Sequence, residues 1–146
     1  HYIDIHGEGD AQNRVKTPSS VRKIPVHSEL IKLGLLDMLD RRPRECFLFD
    51  LARINTNLGH VPSKWFGRYK AALGLPKGTK VFHSFRHTLR DKLTLNGVPN
   101  EHIKELLGHE QIGETFGRYG SSIPVKVLAE SLEKLHFSLD MQNDFQ

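Results

Sequence analysis

The sequence predicts an α+β fold, a mainly helical domain with a small antiparallel sheet near its start. Short extended runs occupy the first 26 residues, and apolar residues recur at helical spacing from Ser28 onward. The chain has 146 residues, which corresponds to about one domain. We therefore expect a single domain over residues 1–146 that ends in a flexible polar tail at 137–146.

The sheet is predicted from three short runs near the amino-terminal end. Residues 2–5 form an apolar run that is followed by a glycine-containing turn. Residues 13–17 and 20–26 are two further extended runs, joined through Pro18 as in a hairpin. Pro25 has no N–H to donate, which places the last run at a sheet edge or a strand end. The hairpin would carry Lys16.

Two helices are predicted in the first half of the chain from apolar periodicity and end signals. The first follows Ser28 as its N-cap candidate and ends at residues 41–43, RRP. The second takes Pro62 as its first residue and stops at Gly74. Its apolar positions on one face are Trp65, Tyr69 and Leu73. Between these helices, residues 46–49 (CFLF) form a short buried segment whose type the sequence leaves open.

Three further helices are predicted in the second half. They run from about His83 to Asn96, from Asn100 to Leu107, and onward from Pro124. The third of them carries an apolar stripe formed by Val125, Leu128, Leu132 and Leu135. This stripe favours packing on the domain's own core, with docking on a neighbouring protomer as the alternative.

The charge is concentrated in one third of the chain. The whole sequence has a net charge of +4, with 21 basic and 17 acidic residues. Residues 60–92 hold eight basic side chains against Asp91 alone, and five aromatic residues are interleaved with them. This pattern is typical of a surface that binds DNA or RNA, although a solvated basic helix pair with its aromatic residues in the core gives the same pattern.

Several classes of chemistry are excluded or weakened by the motifs. The sequence has no HExxH, P-loop or GxGxxG motif, no secretory signal and no apolar run of the roughly 18 residues that a membrane helix needs. The single cysteine, Cys46, permits no internal disulfide and is typical of a core residue. His83 and His87 share a helical face and could bind zinc with His109 as a third ligand, which leaves a metal-dependent hydrolase as an alternative.

Four segments resemble the tyrosine recombinases, the phage-integrase family. HSFRHT at 83–88 is similar to that family's HxLRHT box, and LLGHEQIGET at 106–115 is similar to its LLGHxxIxxT box. TFGRYG at 115–120 resembles the segment with the nucleophilic tyrosine. KTPSSVRKIPVH at 16–27 resembles the β-hairpin that carries a lysine. The resemblance therefore implies the catalytic domain of that family.

This resemblance implies DNA cleavage and rejoining through a 3′-phosphotyrosyl intermediate, with no metal or other cofactor. Tyr119 would be the nucleophile, one residue further from the histidine box than is commonest. Arg86 and His109 would bind the phosphate, since fixed donors stabilise the developing charge. His83 would assist proton transfer around the tyrosine, and Lys16 would protonate the leaving 5′ oxygen.

The family's first catalytic arginine lies in a helix before the strand region, and the chain begins with His1. We therefore expect a carboxy-terminal fragment of a longer recombinase, weak or inactive alone. Arg14 and Arg22 lie on the predicted hairpin and do not replace that arginine. A DNA-binding module without cleavage activity is the main rival interpretation.

The resemblance also implies partners and a location. The partner would be double-stranded DNA, bound by a homo-oligomer that forms a synaptic tetramer. Lys64, Arg68, Lys70 and Arg90 are the predicted DNA-contacting residues of the basic block. We expect a cytoplasmic protein without membrane association, acting on DNA in a bacterial or phage-infected cell, with a phage or mobile element as the favoured source.

Overall fold

The computed structural model describes residues 1–6, 15, 20–43, 49, 59–76, 78, 81–109 and 123–136. In these residues the chain forms two strands and six helices. The elements in chain order are β1 (Tyr2–Ile5), β2 (Arg22–Pro25), α1 (Ser28–Lys32), α2 (Leu35–Asp40), α3 (His60–Ala72), α4 (Ser84–Leu95), α5 (Asn100–Leu107) and α6 (Val125–Leu132). The predicted α+β fold, mainly helical with a small sheet near the start, is confirmed.

The sheet joins the first and the last of the three predicted runs. β1 and β2 are antiparallel, and Tyr2 lies opposite Pro25 while Ile5 lies opposite Arg22. Pro25 ends its strand, as expected for a residue that cannot donate to the ladder. The middle run, 13–17, lies outside the described residues apart from Val15.

The chain divides into two compact units, His1–Gly34 with Arg90–Gln146, and Leu35–Leu89. In the first unit, α5 and α6 pack against β2 and against each other. The buried apolar residues of the described chain all belong to this unit: Leu93, Val98, Ile103, Leu106, Leu107, Leu128, Leu132 and Leu135. Three members of the apolar stripe after Pro124 are therefore buried within the chain's own core.

The start of α1 differs from the prediction by one residue. The N-cap is His27 rather than Ser28, and its Nδ1 accepts a hydrogen bond of 3.1 Å from the Glu29 N–H. The opposite ring nitrogen, Nε2, therefore carries the proton and donates to the Leu135 carbonyl at 3.1 Å. His27 is 6% exposed, and it links the start of α1 to the chain that follows α6.

The predicted helix from Ser28 to Arg41 is also interrupted. Gly34 has a φ of +86°, a conformation that residues with a Cβ rarely adopt, and it separates α1 from α2. α2 ends at Asp40, directly before the predicted stop at residues 41–43. Periodicity alone did not indicate the break, because the apolar positions continue across it.

A second link between α1 and α6 is formed by Glu133. Its two carboxylate oxygens accept hydrogen bonds from the Ser28 N–H at 2.7 Å and from the Ser28 hydroxyl at 2.6 Å. The bond from the Ser28 hydroxyl, more than any other contact, lowers the pKa of Glu133 below its ordinary value. A carboxylate at a helix N-terminus is also favoured by the partial positive charge there.

We expect this link to make stability depend on acid pH. Because the pKa of Glu133 is lowered in the folded state, its contribution is present above the unfolded value, about 4.3, and is lost as pH falls through the folded value. The side chain is 42% exposed, so solvent screening limits the contribution to about 1 kcal/mol or less. The measurement is urea unfolding at pH 7 and pH 3.

The matched variant for this measurement is Glu133→Gln, which preserves the side-chain shape and removes the titration. It should lose less stability than the wild-type chain between the two pH values. An equal loss in both proteins would show that the Ser28–Glu133 link contributes no pH dependence.

In the second unit, α3 begins earlier than predicted and ends as predicted. The helix starts at His60, so Pro62 is its third residue, and Gly74 follows its end. Phe66 packs against Phe82 and Phe85, with each pair of ring centroids 5.4 Å apart. Two phenylalanines that flank the start of α4 are thereby anchored on α3.

Among the described residues, no helix has the length and apolar character needed to cross a lipid bilayer.

Candidate functional site

The HSFRHT segment forms the start of α4 and the turn before it. The N–H groups of Ser84 and Arg86 donate to the carbonyls of Val81 and His83, at 2.9 and 3.1 Å. The Ser84 hydroxyl accepts a further bond from the Val81 N–H at 3.1 Å. His83 therefore lies at the last position of an ordered turn, and Arg86 lies in the first turn of the helix.

The two predicted catalytic residues of this segment lie three residues apart, within one helical turn. The Arg86 side chain is half-buried, whereas His83 and His87 are exposed. The rings of His83 and His87 pack edge to face, with centroids 5.1 Å apart. In the described part of the chain, no three His, Cys, Asp or Glu side chains are grouped closely enough to hold a metal ion.

The second HxxR pair of the sequence differs from the first in its environment. Arg90 is exposed, and its Nε and Nη2 both donate to the Asp91 carboxylate, at 3.0 and 2.9 Å. A guanidinium engaged in this way is partly neutralised by its sequence neighbour. The structure therefore separates Arg86 from Arg90 by burial, although both belong to an HxxR pair.

His109 is positioned by the end of α5. Gly108 has a φ of +66°, and its N–H bonds to Glu105 while the His109 N–H bonds to the Lys104 carbonyl at 3.0 Å. This arrangement is the Schellman motif, in which a glycine in the left-handed region reverses the chain after a helix. The backbone of His109 is thus held by hydrogen bonds, and its side chain is exposed.

Arg22 supports the same helix end and was missed by the sequence analysis. From β2, its Nε donates to the Leu106 carbonyl of α5 at 3.3 Å, and its Nη1 donates to the Ser20 carbonyl at 2.8 Å. A cation at a helix C-terminus satisfies carbonyls that have no partner within the helix. The contact spans 84 residues in sequence, so no local pattern could have predicted it.

The predicted DNA contacts on α3 fall into two groups. Lys64 and Arg68 are exposed and lie four residues apart, on one face of the helix. Lys70 is only 8% exposed, and its Nζ lies 5.7 Å from the centroid of the Phe66 ring. Lys70 is therefore mostly covered by its own surroundings, and its DNA contact stays a prediction.

Two predicted catalytic residues cannot be placed. Lys16 and Tyr119 both lie outside the described residues, as does most of the segment at 46–49 and the tail at 137–146. The structure thus describes His83, Arg86 and His109, each in the local setting given above. The roles of all five residues stay predictions.

Comparisons with known proteins identify the family to which the chain is related. Residues 13–123 match the profile described as "Phage integrase family". The chain is also similar to a protein described as "Tyrosine recombinase XerC-like" from Caldanaerobacter subterraneus subsp. tengcongensis, with 34% identity. That alignment covers 75% of this chain and 31% of the relative, so the chain spans about a third of the relative's length. The search of solved structures found no significant match. The chain belongs to the phage integrase family.

Proposed function

We propose that the chain is the catalytic domain of a site-specific DNA recombinase or integrase that cuts and rejoins double-stranded DNA. One observation carries the proposal. The region that matches the family, residues 13–123, contains all five candidate catalytic residues in the order the family requires. The exposed cations Lys64 and Arg68 of α3 add support, because they suit an anionic polymer.

The proposed reaction keeps the energy of the broken phosphodiester bond in the bond between the phosphate and the tyrosine. The Tyr119 oxygen attacks a backbone phosphorus and forms a 3′-phosphotyrosyl bond, while the bond to the 5′ oxygen breaks. The phenolic proton leaves toward His83, and Lys16 donates a proton to the departing 5′ oxygen. Attack by the freed 5′-hydroxyl of a second strand reverses these steps, so the reaction needs no nucleotide cofactor.

Arg86 is the proposed electrostatic element of this reaction. Negative charge grows on the phosphoryl oxygens during attack, and a guanidinium offers two parallel donors to them. Arg86 is half-buried, which reduces solvent screening of its charge, and donors that are fixed before the reaction stabilise charge as it develops. His109, held at the end of α5, would donate a further hydrogen bond to the same phosphate.

The experiment that tests this function traps the covalent intermediate. A duplex substrate with a nick in the cleaved strand, a few nucleotides to the 3′ side of the cleavage site, loses a short fragment with the free 5′-hydroxyl after attack, which prevents religation. We expect the whole protein to form a DNA adduct that survives denaturing electrophoresis, with the DNA attached at Tyr119 by mass spectrometry. Tyr119→Phe should abolish the adduct and retain DNA binding. An adduct that persists in Tyr119→Phe would overturn the assignment.

Salt dependence tests the DNA contacts separately from chemistry. Lys64→Ala should lower the slope of log affinity against log salt by about one unit, because one phosphate contact releases about one counterion. The matched control is Lys126→Ala, an exposed lysine on α6 outside the basic block. Equal slopes for Lys64→Ala and the wild-type chain would place Lys64 off the DNA surface. Lys70→Ala should also reduce stability, since this side chain is buried.

A further inference from the structure

The last turn of α5 is closed by hydrogen bonds from two different parts of the chain. The His109 N–H donates to the Lys104 carbonyl at 3.0 Å, directly after the helix. The Leu106 carbonyl accepts from Arg22 Nε at 3.3 Å. Arg22 lies on β2, so this bond joins positions 84 residues apart. The last four carbonyls of a helix have no partner within it, so their donors must come from outside the helix.

The Leu106 carbonyl depends on this bond because water reaches it poorly. Leu106 as a whole, main chain included, is 4% exposed. A buried carbonyl that loses its donor has left water without compensation, and the chain around it shifts toward another donor. Arg22 therefore fixes the position of the last turn of α5.

The Arg22 guanidinium is itself held in one orientation. Its Nη1 donates to the Ser20 carbonyl at 2.8 Å while its Nε donates to Leu106. The N–H groups of a guanidinium share one rigid plane, so bonds to two different carbonyls restrict its rotation. These residues all belong to the first compact unit, in which β2 packs against α5 and α6.

His109 is attached directly to the segment that Arg22 holds. It is the third residue after Leu106, and its own N–H bonds back to Lys104. The direction in which its imidazole leaves the chain follows from the position of this backbone. A movement of the last turn of α5 would therefore also move the imidazole.

The charge of Arg22 also matters for an anion near His109. A helix C-terminus carries a partial charge of about −0.5, which disfavours a phosphate. Arg22 places a full positive charge within hydrogen-bond distance of the last turn of α5. The negative potential of the helix end is thereby offset close in sequence to the residue that is proposed to contact the phosphate.

We propose that Arg22 is a positioning residue of the cleavage reaction, which holds the end of α5 so that His109 donates its hydrogen bond to the phosphate. The inference rests on the proposed function in taking His109 as a phosphate donor. It adds a residue of β2 that assists the reaction through another residue.

The test is a double-mutant cycle on single-turnover cleavage of nicked duplexes by the whole protein. We expect Arg22→Ala to slow cleavage by about 10–100-fold, because a small displacement of a catalytic group is sufficient for such a loss. His109→Ala should slow it by about 10²–10³-fold. Once His109 is absent, Arg22→Ala should slow cleavage by less than about threefold further, since the two losses are coupled. Additive losses would overturn the inference.

Lys23→Ala is the matched control. Lys23 is the next residue on β2, is exposed and has its Nζ 4.9 Å from the centroid of the Tyr2 ring. Its removal should leave the cleavage rate close to that of the wild-type chain. A loss as large as that of Arg22→Ala would show a general disturbance of β2 and would overturn the inference.

A conservative variant keeps the test decisive if Arg22→Ala does not fold. Arg22→Lys keeps the charge but not the fixed fork of donors, so its cleavage rate should lie between those of the wild-type chain and Arg22→Ala. Circular dichroism checks that each variant is folded, and the cycle is run with Arg22→Lys where the alanine variant is not.

A modified substrate separates the two carbonyls that Arg22 contacts. Sulfur in place of the bridging 5′ oxygen gives a thiol leaving group, whose pKa of about 8.5 removes the need for a proton donor. Lys16→Ala, which lacks the proposed proton donor, should regain cleavage on this substrate, whereas Arg22→Ala should not. Recovery by Arg22→Ala would assign its effect to the segment before Ser20 and would overturn the role through His109.

DNA binding separates this inference from the proposed function. The affinity of Arg22→Ala, measured by the anisotropy of labelled DNA, should stay within a few fold of the wild-type value. A loss of affinity as large as the loss of rate would indicate a direct DNA contact and would overturn the inference alone. Absence of a covalent adduct in the wild-type chain would overturn both proposals.

Discussion

Replacing Arg86 with alanine is expected to slow DNA cleavage by about 10²–10³-fold, the usual effect of removing one preorganised donor to a transition-state oxyanion. Arg86 is half-buried and lies in the first turn of α4. Because the donor acts mainly on charge that develops during attack, binding of intact DNA should change only a few fold. Single-turnover cleavage with nicked duplexes measures the rate.

The matched control is Arg90→Ala. Arg90 belongs to an identical HxxR pair one turn further along the helix, but it is exposed and bound to Asp91. Its removal should change DNA affinity slightly and leave the cleavage rate within a few fold. Near-normal cleavage by Arg86→Ala, or an equal loss in both variants, would contradict the role assigned to Arg86.

Truncating Leu128 to alanine is expected to reduce the free energy of unfolding by about 2–5 kcal/mol, the range for a buried leucine. Leu128 is 1% exposed and lies on α6, which packs against β2 and α5. Truncating the Leu128 side chain therefore leaves a cavity, which the surrounding residues fill only in part. Chemical unfolding monitored by circular dichroism measures the loss.

Lys126→Ala is the control on the same helix, because its side chain is exposed and should contribute less than about 0.5 kcal/mol. The comparison also bears on where the apolar stripe binds. A loss below 1 kcal/mol in Leu128→Ala would contradict docking of α6 on the chain's own core and would favour the alternative, docking on a neighbouring protomer.

The elements that the sequence predicted best have local signals at both ends. α5 matches its predicted bounds, and Ile103, Leu106 and Leu107 are buried as expected from their spacing. Pro99 directly before the helix and Gly108 directly after it define its ends through backbone constraints alone. Such constraints depend on neighbouring residues, so they are visible in a single sequence.

The sequence could not show which apolar face would be covered. Trp65, Tyr69 and Leu73 were correctly predicted to share a face, yet Trp65 and Leu73 are 54% and 58% exposed, and Phe66 makes the packing contacts. Helical periodicity gives the relative directions of side chains but not the position of the neighbouring element. The same limit hid the break at Gly34.

Long-range polar contacts were also beyond sequence reasoning. Arg22 binds a carbonyl of α5, and Ser28 donates to Glu133, although the local sequence around either residue indicates neither contact. His102 bonds to Ser131 at 2.7 Å and joins α5 to α6 in the same way. These pairs are separated by 29–105 residues, so only the folded chain brings them together.

Of the candidate site, the sequence predicted the two histidine-containing segments and the local structure around each. His83 lies where the prediction begins its helix, one residue before α4, and His109 follows α5 after Gly108. The burial of Lys70 shows what residue type leaves undecided. A lysine in a basic block can be exposed or can bury its stem against an aromatic ring, and the two cases have the same sequence pattern.

The most direct measurement of the central claim is a crystal structure of the whole protein with sulfate or phosphate. We expect Arg86 and His109 to bind one anion, with His83 within reach of it and with Lys16 on an adjacent hairpin. A metal ion held by His83, His87 and His109 in place of that anion would contradict phosphotyrosyl chemistry and favour a metal-dependent hydrolase.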